Sequence, residues 1–191
     1  MKNRTDKILE FLKEIGKLKK VEREIFLDTK KESSAEHSWH LAMFIMLFEK
    51  DLPKGLDFNR MLKMSLMHDL VEIYAGDTYL FDEEARKGKK EREEKAAEKL
   101  FSQLPEDLEK EFHELFEDYE LTKTKEAKIV KSFNHIHPIL ENIEYGGIGW
   151  EFHRTKYEDI EKAKRYLMEH DPFILGIYEK LMKEAKDKKL L

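Results

Sequence analysis

Cysteine does not occur in this chain. Its absence excludes a disulfide framework, a thiol nucleophile and a cysteine-ligated zinc, so any metal must be held by histidine, carboxylate or amide groups. Long apolar runs are missing too. The longest, LAMFIML from Leu41 to Leu47, is far too short to cross a bilayer, and no membrane partner is expected. The N-terminal MKNRTDKILEFLKE carries charge where a secretory leader needs an apolar segment, which points to a soluble cytoplasmic protein. Net charge is only −5, with acids and bases interspersed. No basic block invites nucleic acid, and there is no acidic tail. No glycine-rich loop sits between a strand and a helix, which argues against a dinucleotide or P-loop site. A repeat of fixed period is also lacking.

What remains is dense in charge and helical in period. Charged residues make up 40% of the 191 positions and apolar residues another 40%, the pattern of amphipathic helices with salted outer faces. Ile8, Leu9, Phe11, Leu12, Ile15 and Leu18 trace one helical face. Ser33 and Glu36 form a capping box at the head of SSAEHSWHLAMFIMLFEK. A helix is expected from about Asp57 to Ala75, stopped by Gly76. Loop DTYLFDEEARKGKK follows, and the charge run from Lys87 to Lys95 reads as a solvated loop and helix face. TKTKEAKIVKSFNHIHPILENI is helical, with Pro138 forcing a kink or local adjustment. Thr155 and Glu158 suggest a second capping box. No stretch sustains period-two alternation. The expectation is one all-α domain over residues 1–191, of about seven to nine helices, with a motif-bearing core at about 21–150 and C-terminal helices at 155–187.

SLMHDLVEIYAGD, Ser65 to Asp77, raises the chemical question. Its flanks are apolar enough to be wrapped by core, where unpaired charge is expensive. Yet it carries His68, Asp69, Glu72 and Asp77. On one helix, His68 and Glu72 would share a face, with Asp69 turned about 100° from His68. A second imidazole, His37, lies 31 residues upstream in an apolar helix. Two neighbouring helices could aim these groups at one ion.

The combination of His37, the pair His68-Asp69 and a distant acid position resembles the metal-dependent phosphohydrolases of the HD-domain family. AEHSW, LKMSLMHDLVEIYAGD and EAKIVKSF are similar to the short branch that includes the 5′-deoxynucleotidases, and HPILEN followed by GGIGW resembles one part of that branch. The resemblance implies an HD-type helical bundle and a divalent ion (Mn, Co, Mg, Zn or Ni). It implies a small phosphate ester as substrate, a nucleotide in particular, and a homodimer as a common arrangement. It also implies His37, His68 and Asp69 as ligands, with the fourth ligand position falling on Asn134. Where the family carries Asp, the amide leaves the site one negative charge short, and hard cations prefer carboxylate. A non-catalytic or weakly active nucleotide-binding protein is therefore the alternative to the enzyme. Glu72 is the expected base that holds or deprotonates the attacking water, and Asp77 a second acid or substrate-orienting group. Arg23, in the REIF that replaces the family's basic-glycine-tryptophan segment, is expected to contact phosphate in bidentate fashion, and Phe26 to line the sugar pocket.

Overall fold

The computed structural model describes residues 2–191. Helix α1 (Arg4–Ile15) leads through a 3₁₀ turn (Gly16–Lys20) into a hairpin of β1 (Glu22–Leu27) and β2 (Lys30–Ser33). Helices α2 (Ser34–Leu47), α3 (Phe58–Met67), α4 (Glu72–Ala75), α5 (Glu83–Arg86) and α6 (Lys89–Phe101) follow. Then come α7 (Glu106–Leu121), α8 (Lys125–Glu144), α9 (Ile148–His153), α10 (Tyr157–Lys164) and α11 (Pro172–Asp187). Eight of these helices (α1, α2, α3, α6, α7, α8, α10 and α11) have seven residues or more, in line with the expected bundle. Among the described residues no helix is long and apolar enough to cross a membrane.

Helix α8 is the axis. Leucine-class and aromatic side chains bury it on most sides, Ile129, Phe133, Ile136 and Ile139 among them. It packs against α2, α3, α7, α11 and β1. A helix enclosed this way cannot leave polar groups unpaired without a cost of roughly 1–3 kcal/mol each. Its polar residues Asn134, His137, Glu141 and Asn142 are therefore all engaged internally or at the cleft.

Three local expectations change. The hairpin was not visible in the sequence because its alternation is broken. Glu22 pairs with Ser33 and Phe26 with Lys31, so four steps on β1 oppose two on β2. The bulge contains Arg23 and re-aims it. The two-residue turn places Asp28 at φ 50°, in the left-handed region that Asp tolerates. The helix expected from Asp57 to Ala75 is divided: α3 ends at Met67, and the hydrogen bonds Leu70→Met67, Glu72→Asp69, Ile73→Leu70 and Tyr74→Val71 are of i→i+3 type. In such a tight turn residues three apart eclipse, so Asp69 and Glu72, rather than His68 and Glu72, share a side. The cap of α10 lies one residue later than expected, with the Lys156 N–H donating to Asp159 at 3.0 Å.

The Ser33 capping box forms as read, with Glu36 N–H donating to Ser33 Oγ and Ser33 N–H to Glu36 Oε2. Helix α8 runs unbroken through Pro138. Pro138 has no N–H for the Asn134 carbonyl one turn back, and the next carbonyl, that of His135, accepts from the Lys164 side chain at 2.9 Å. One turn on, the Asn142 amide donates to the Pro138 carbonyl at 2.8 Å and accepts from the Trp150 N–H at 3.1 Å. This clamp needs Gly149, since a Cβ there would stand 2.8 Å from Asn142 Oδ1. Gly149→Ala is expected to destabilise the fold by about 1–3 kcal/mol. Chemical denaturation checks it, and an unchanged midpoint would show the clamp to be slack.

Candidate metal centre and cleft

Capping by Ser33 sets the rotation of α2 so that His37 faces inward, fully buried. Its Nε2 lies 2.7 Å from Asn134 Oδ1 and its Nδ1 3.2 Å from His137 Nδ1. The Asn134 amide is oriented by donating its Nδ2 hydrogen to Tyr119 Oη, which leaves Oδ1 as the acceptor toward His37. At the end of α3, His68 Nδ1 donates to the Ser65 carbonyl at 3.0 Å. That bond fixes the tautomer and leaves Nε2 as a lone pair. The two imidazole rings stand 5.3 Å apart. The nearest ligand atoms of His37, His68 and Asp69 all fall within 4.8 Å of one another, and Asn134 Oδ1 lies beside them. The imidazoles expected from separate helices do converge.

The chemistry of this donor set fits a cation. His68 Nε2 is buried with no hydrogen-bond partner, yet it lies 3.0 Å from Asp69 Oδ1. Burial pushes the His68 pKa below its ordinary value, so the ring is neutral and two electron-pair donors face each other. A positive ion between them removes that repulsion. Asp69 divides its oxygens: Oδ1 faces His68, whereas Oδ2 accepts from Arg23 Nη1 at 2.8 Å. Burial alone would lower the Arg23 pKa, but Asp69, Asp77, Glu72 and Glu32 together raise it.

The seat opens into a cleft of about 460 Å³. Glu72 and Asp77 line it. Ser34 Oγ donates to Glu72 Oε2 at 2.6 Å, and burial, then the neighbouring Asp69 charge, push the Glu72 pKa well up. Arg23 lines the cleft too, but its guanidinium pairs with Asp69 and stands 3.6 Å from Asp77 and 3.5 Å from Glu32. It is committed to carboxylates and is not the open phosphate fork expected from the sequence. Phe26 is not brought to the site. It packs instead on Phe152, at 5.0 Å between ring centres.

Cations reach the cleft from other places. Lys131 on α8, Lys164 at the end of α10, and Lys89 and Lys90 on α6 all line it. The Lys87–Lys95 run is thus more than a solvated face. Burial pushes the Lys164 pKa down to about 7, and lowers that of Lys131 as well. Nothing in the sequence marks these lysines among its many charged residues. Tyr119 was equally unmarked, because its role depends on α7 meeting α8.

Comparison with known proteins agrees with this geometry. A family model described as HD domain matches residues 15–172. The chain belongs to the HD domain family. The 5′-deoxynucleotidase HDDC2 of Bos taurus is 38% identical over 141 residues, covering 72% of this chain and 67% of that protein. The 5′-deoxynucleotidase HDDC2 of Danio rerio is 29% identical over 182 residues, covering 94% and 88%. A crystal structure of a predicted metal-dependent phosphohydrolase from Magnetospirillum magnetotacticum superposes with TM-score 0.91 at 33% identity, over 98% of this chain and 95% of that one. The cluster of His37, His68 and Asp69, with Asn134 Oδ1 beside it, is a possible metal-binding group in a family that includes metal-dependent phosphohydrolases.

A carboxylate in place of Asn134 would add the missing negative charge. Asn134→Asp is expected to tighten divalent-cation binding roughly tenfold or more. Isothermal titration with Mn²⁺ measures it; equal or weaker binding by the variant would mean that the amide is the better donor here.

Proposed function

We propose that this HD-domain protein is a cytoplasmic, metal-dependent phosphoric monoester hydrolase that releases phosphate from (deoxy)nucleoside 5′-monophosphates. The observation that carries the reading is the convergence of His37, His68 and Asp69, with Asn134 beside them, at the base of a cleft lined by lysines. The names of the relatives support the substrate class. With half of the ligand set oxygen, the ion is Mn²⁺, Co²⁺ or Mg²⁺. Bound at this seat it supplies an activated water and charge neutralisation at a phosphoryl oxygen.

The chain's own groups do the rest. Lys131 and Lys164 attract and orient the phosphate. Tyr79, Phe81 and Trp150 offer apolar surface to the nucleoside in the same cleft. Glu72 accepts the proton of the attacking water, and burial and the neighbouring Asp69 charge raise its proton affinity, the direction a general base needs. Ser34 keeps its carboxyl pointed inward. Arg23 is a positioning residue: it holds Asp69 Oδ2 so that Oδ1 faces the seat. Asp77, paired through Arg23, orients substrate from the rim. A homodimer belongs to the same reading, with exposed Trp39, Met46, Leu47 and Leu66 as its apolar surface.

Phosphate release from a panel of nucleoside and deoxynucleoside 5′-monophosphates, with each ion in turn, tests the reading. Turnover of deoxynucleotides is expected; a metal-loaded protein that releases phosphate from none of them refutes it. Glu72→Gln should lower kcat by about 10²–10⁴-fold with far less effect on KM, and a variant with near-native kcat would remove Glu72 from proton transfer.

The Lys164 pKa gives a signed pH dependence. Below about pH 7 the side chain is an ammonium, and above it a neutral amine. Phosphate binding should therefore weaken as pH rises through 7. The substrate's own second ionisation, near pH 6, gives a background that Lys164→Met shares. Divided by that variant, the native kcat/KM advantage is expected to be about tenfold at pH 6 and to fall to about twofold by pH 8. A ratio flat across this range would exclude Lys164 as a phosphate ligand.

A further inference from the structure

Beside the cleft lies a second hollow, of about 910 Å³, that the proposed reaction does not use. Side chains from α8, from α10 and the 3₁₀ turn after it (Arg165–Leu167), and from the segment carrying α5 line it. Lys131, His135, Phe81 and Arg86 line both spaces, so the two hollows meet at a common wall.

The charge of this hollow runs against that of the chain. Net charge over the whole protein is −5. The hollow is nevertheless lined by four cations, Arg86, Lys128, Lys131 and Lys162, against two acids, Glu83 and Asp159. Each acid lies in the first turn of a helix, α5 or α10, where the helix N-terminus answers its charge. Asp159 also accepts from the Lys156 N–H at 3.0 Å. Among the described residues none of the four cations is ion-paired. Arg86 donates to the Leu80 carbonyl at 3.1 Å, and Lys131 to those of Tyr119 and Glu120 at 3.3 and 3.1 Å. Lys128 and Lys162 are exposed. Other exposed lysines of this fold close on an acid one turn away, as Lys90 does with Glu94 and Lys188 with Glu184. Lys128 has no such neighbour in the sequence, since Thr124, Lys125, Lys131 and Ser132 stand three and four positions from it. Like charges gathered in this way repel, and an anion laid across them relieves the repulsion.

The size and the rim of the hollow indicate what kind of anion. It is larger than the cleft, and its cations come from three separate elements, which suits a chain of phosphates better than a single one. Tyr166, 63% exposed, offers a ring on which a nucleobase can stack. We propose that this hollow is a second, non-catalytic site for a nucleoside triphosphate, and that its occupancy weakens the cleft's hold on a monophosphate.

Lys131 is the link, because its side chain serves both spaces. Drawn to a phosphate chain in the second hollow, its ammonium is withdrawn from the substrate phosphate. The effect falls on KM and not on kcat, since no group at the metal seat is touched. The site itself needs nothing from the hydrolase reading; only its effect on KM rests on that reading.

dATP and inorganic tripolyphosphate are the probes. Each is titrated by calorimetry into the full chain with Mn²⁺ in excess, so that neither probe strips the metal. Lys128 and Lys162 line the second hollow alone, and Lys164 the cleft alone. The expected result is a dATP site whose affinity falls roughly tenfold or more in Lys128→Met/Lys162→Met and stays near native in Lys164→Met, with thermal melting showing each chain folded. Tyr166→Ala should weaken dATP and leave tripolyphosphate unchanged; if native protein binds both probes equally, the nucleoside part of the proposal is overturned. The whole proposal is overturned if the double variant binds dATP as the native chain does, or if Lys164→Met loses as much. In turnover of dAMP, dATP is expected to raise KM severalfold at constant kcat. The double variant should keep the native KM and kcat without dATP and show no rise with it. A rise that persists there puts dATP in the cleft and overturns the coupling. Absence of turnover in every chain would count against the hydrolase reading and leave the calorimetric result standing.

Discussion

The imidazole of His37 is held at both nitrogens, by Asn134 on one side and His137 on the other, and the organisation of the centre depends on that grip. Both partners belong to α8, three residues apart, so a single ring from α2 bridges successive positions of the axial helix. A fully buried imidazole cannot turn to water for a partner. The register of α2 against α8 is thereby fixed, and with it the direction from which His37 faces His68. The apolar packing of Leu41, Phe44 and Phe133 holds the helices together, but it would tolerate a slip of register better than this polar contact does.

Electrostatics then divides the interior into two compartments. On the cleft side, Asp69 gives one oxygen to Arg23 and keeps the other for the seat, while Glu72 is held by a serine and its proton affinity is raised by burial and its acidic neighbours. On the other wall Lys131 and Lys164 have pKa values lowered by burial, and both donate to backbone carbonyls with no carboxylate partner among the described residues. Arg23, by contrast, is surrounded by carboxylates. A guanidinium so committed is a structural cation; freeing it for a ligand would strand several buried acids. This is why the same chain can carry an arginine at the expected sequence position and yet place cleft-lining lysines on α8 and α10.

The helical bundle, the Ser33 cap, and the meeting of His37, His68 and Asp69 were legible because each rests on local periodicity or on a motif whose spacing is geometric. The parts that were not legible depend on neighbours. The bulge at Arg23 and the outward turn of Phe26 follow from hairpin register, which a short, interrupted strand does not reveal. The break after Met67 follows from a run of i→i+3 bonds that residue types alone do not announce, although Gly76 marks where it ends. Lys131 and Lys164 look like any other lysine until the fold buries them. The rotation of α8 turns His137 toward His37 while His135 lines the cleft.

That rotation bears on the meaning of Asn134. An amide in place of an acid removes one negative charge from the cleft corner, whereas Glu141 and Glu32 place two behind it, within 3.6 Å of His137 Nε2. Both carboxyl groups have partners of their own, Glu32 beside the Arg23 guanidinium at 3.5 Å and Glu141 beside His40 at 2.9 Å, so the acidic charge around the His37–His137 pair is held by the core and not by the cleft corner.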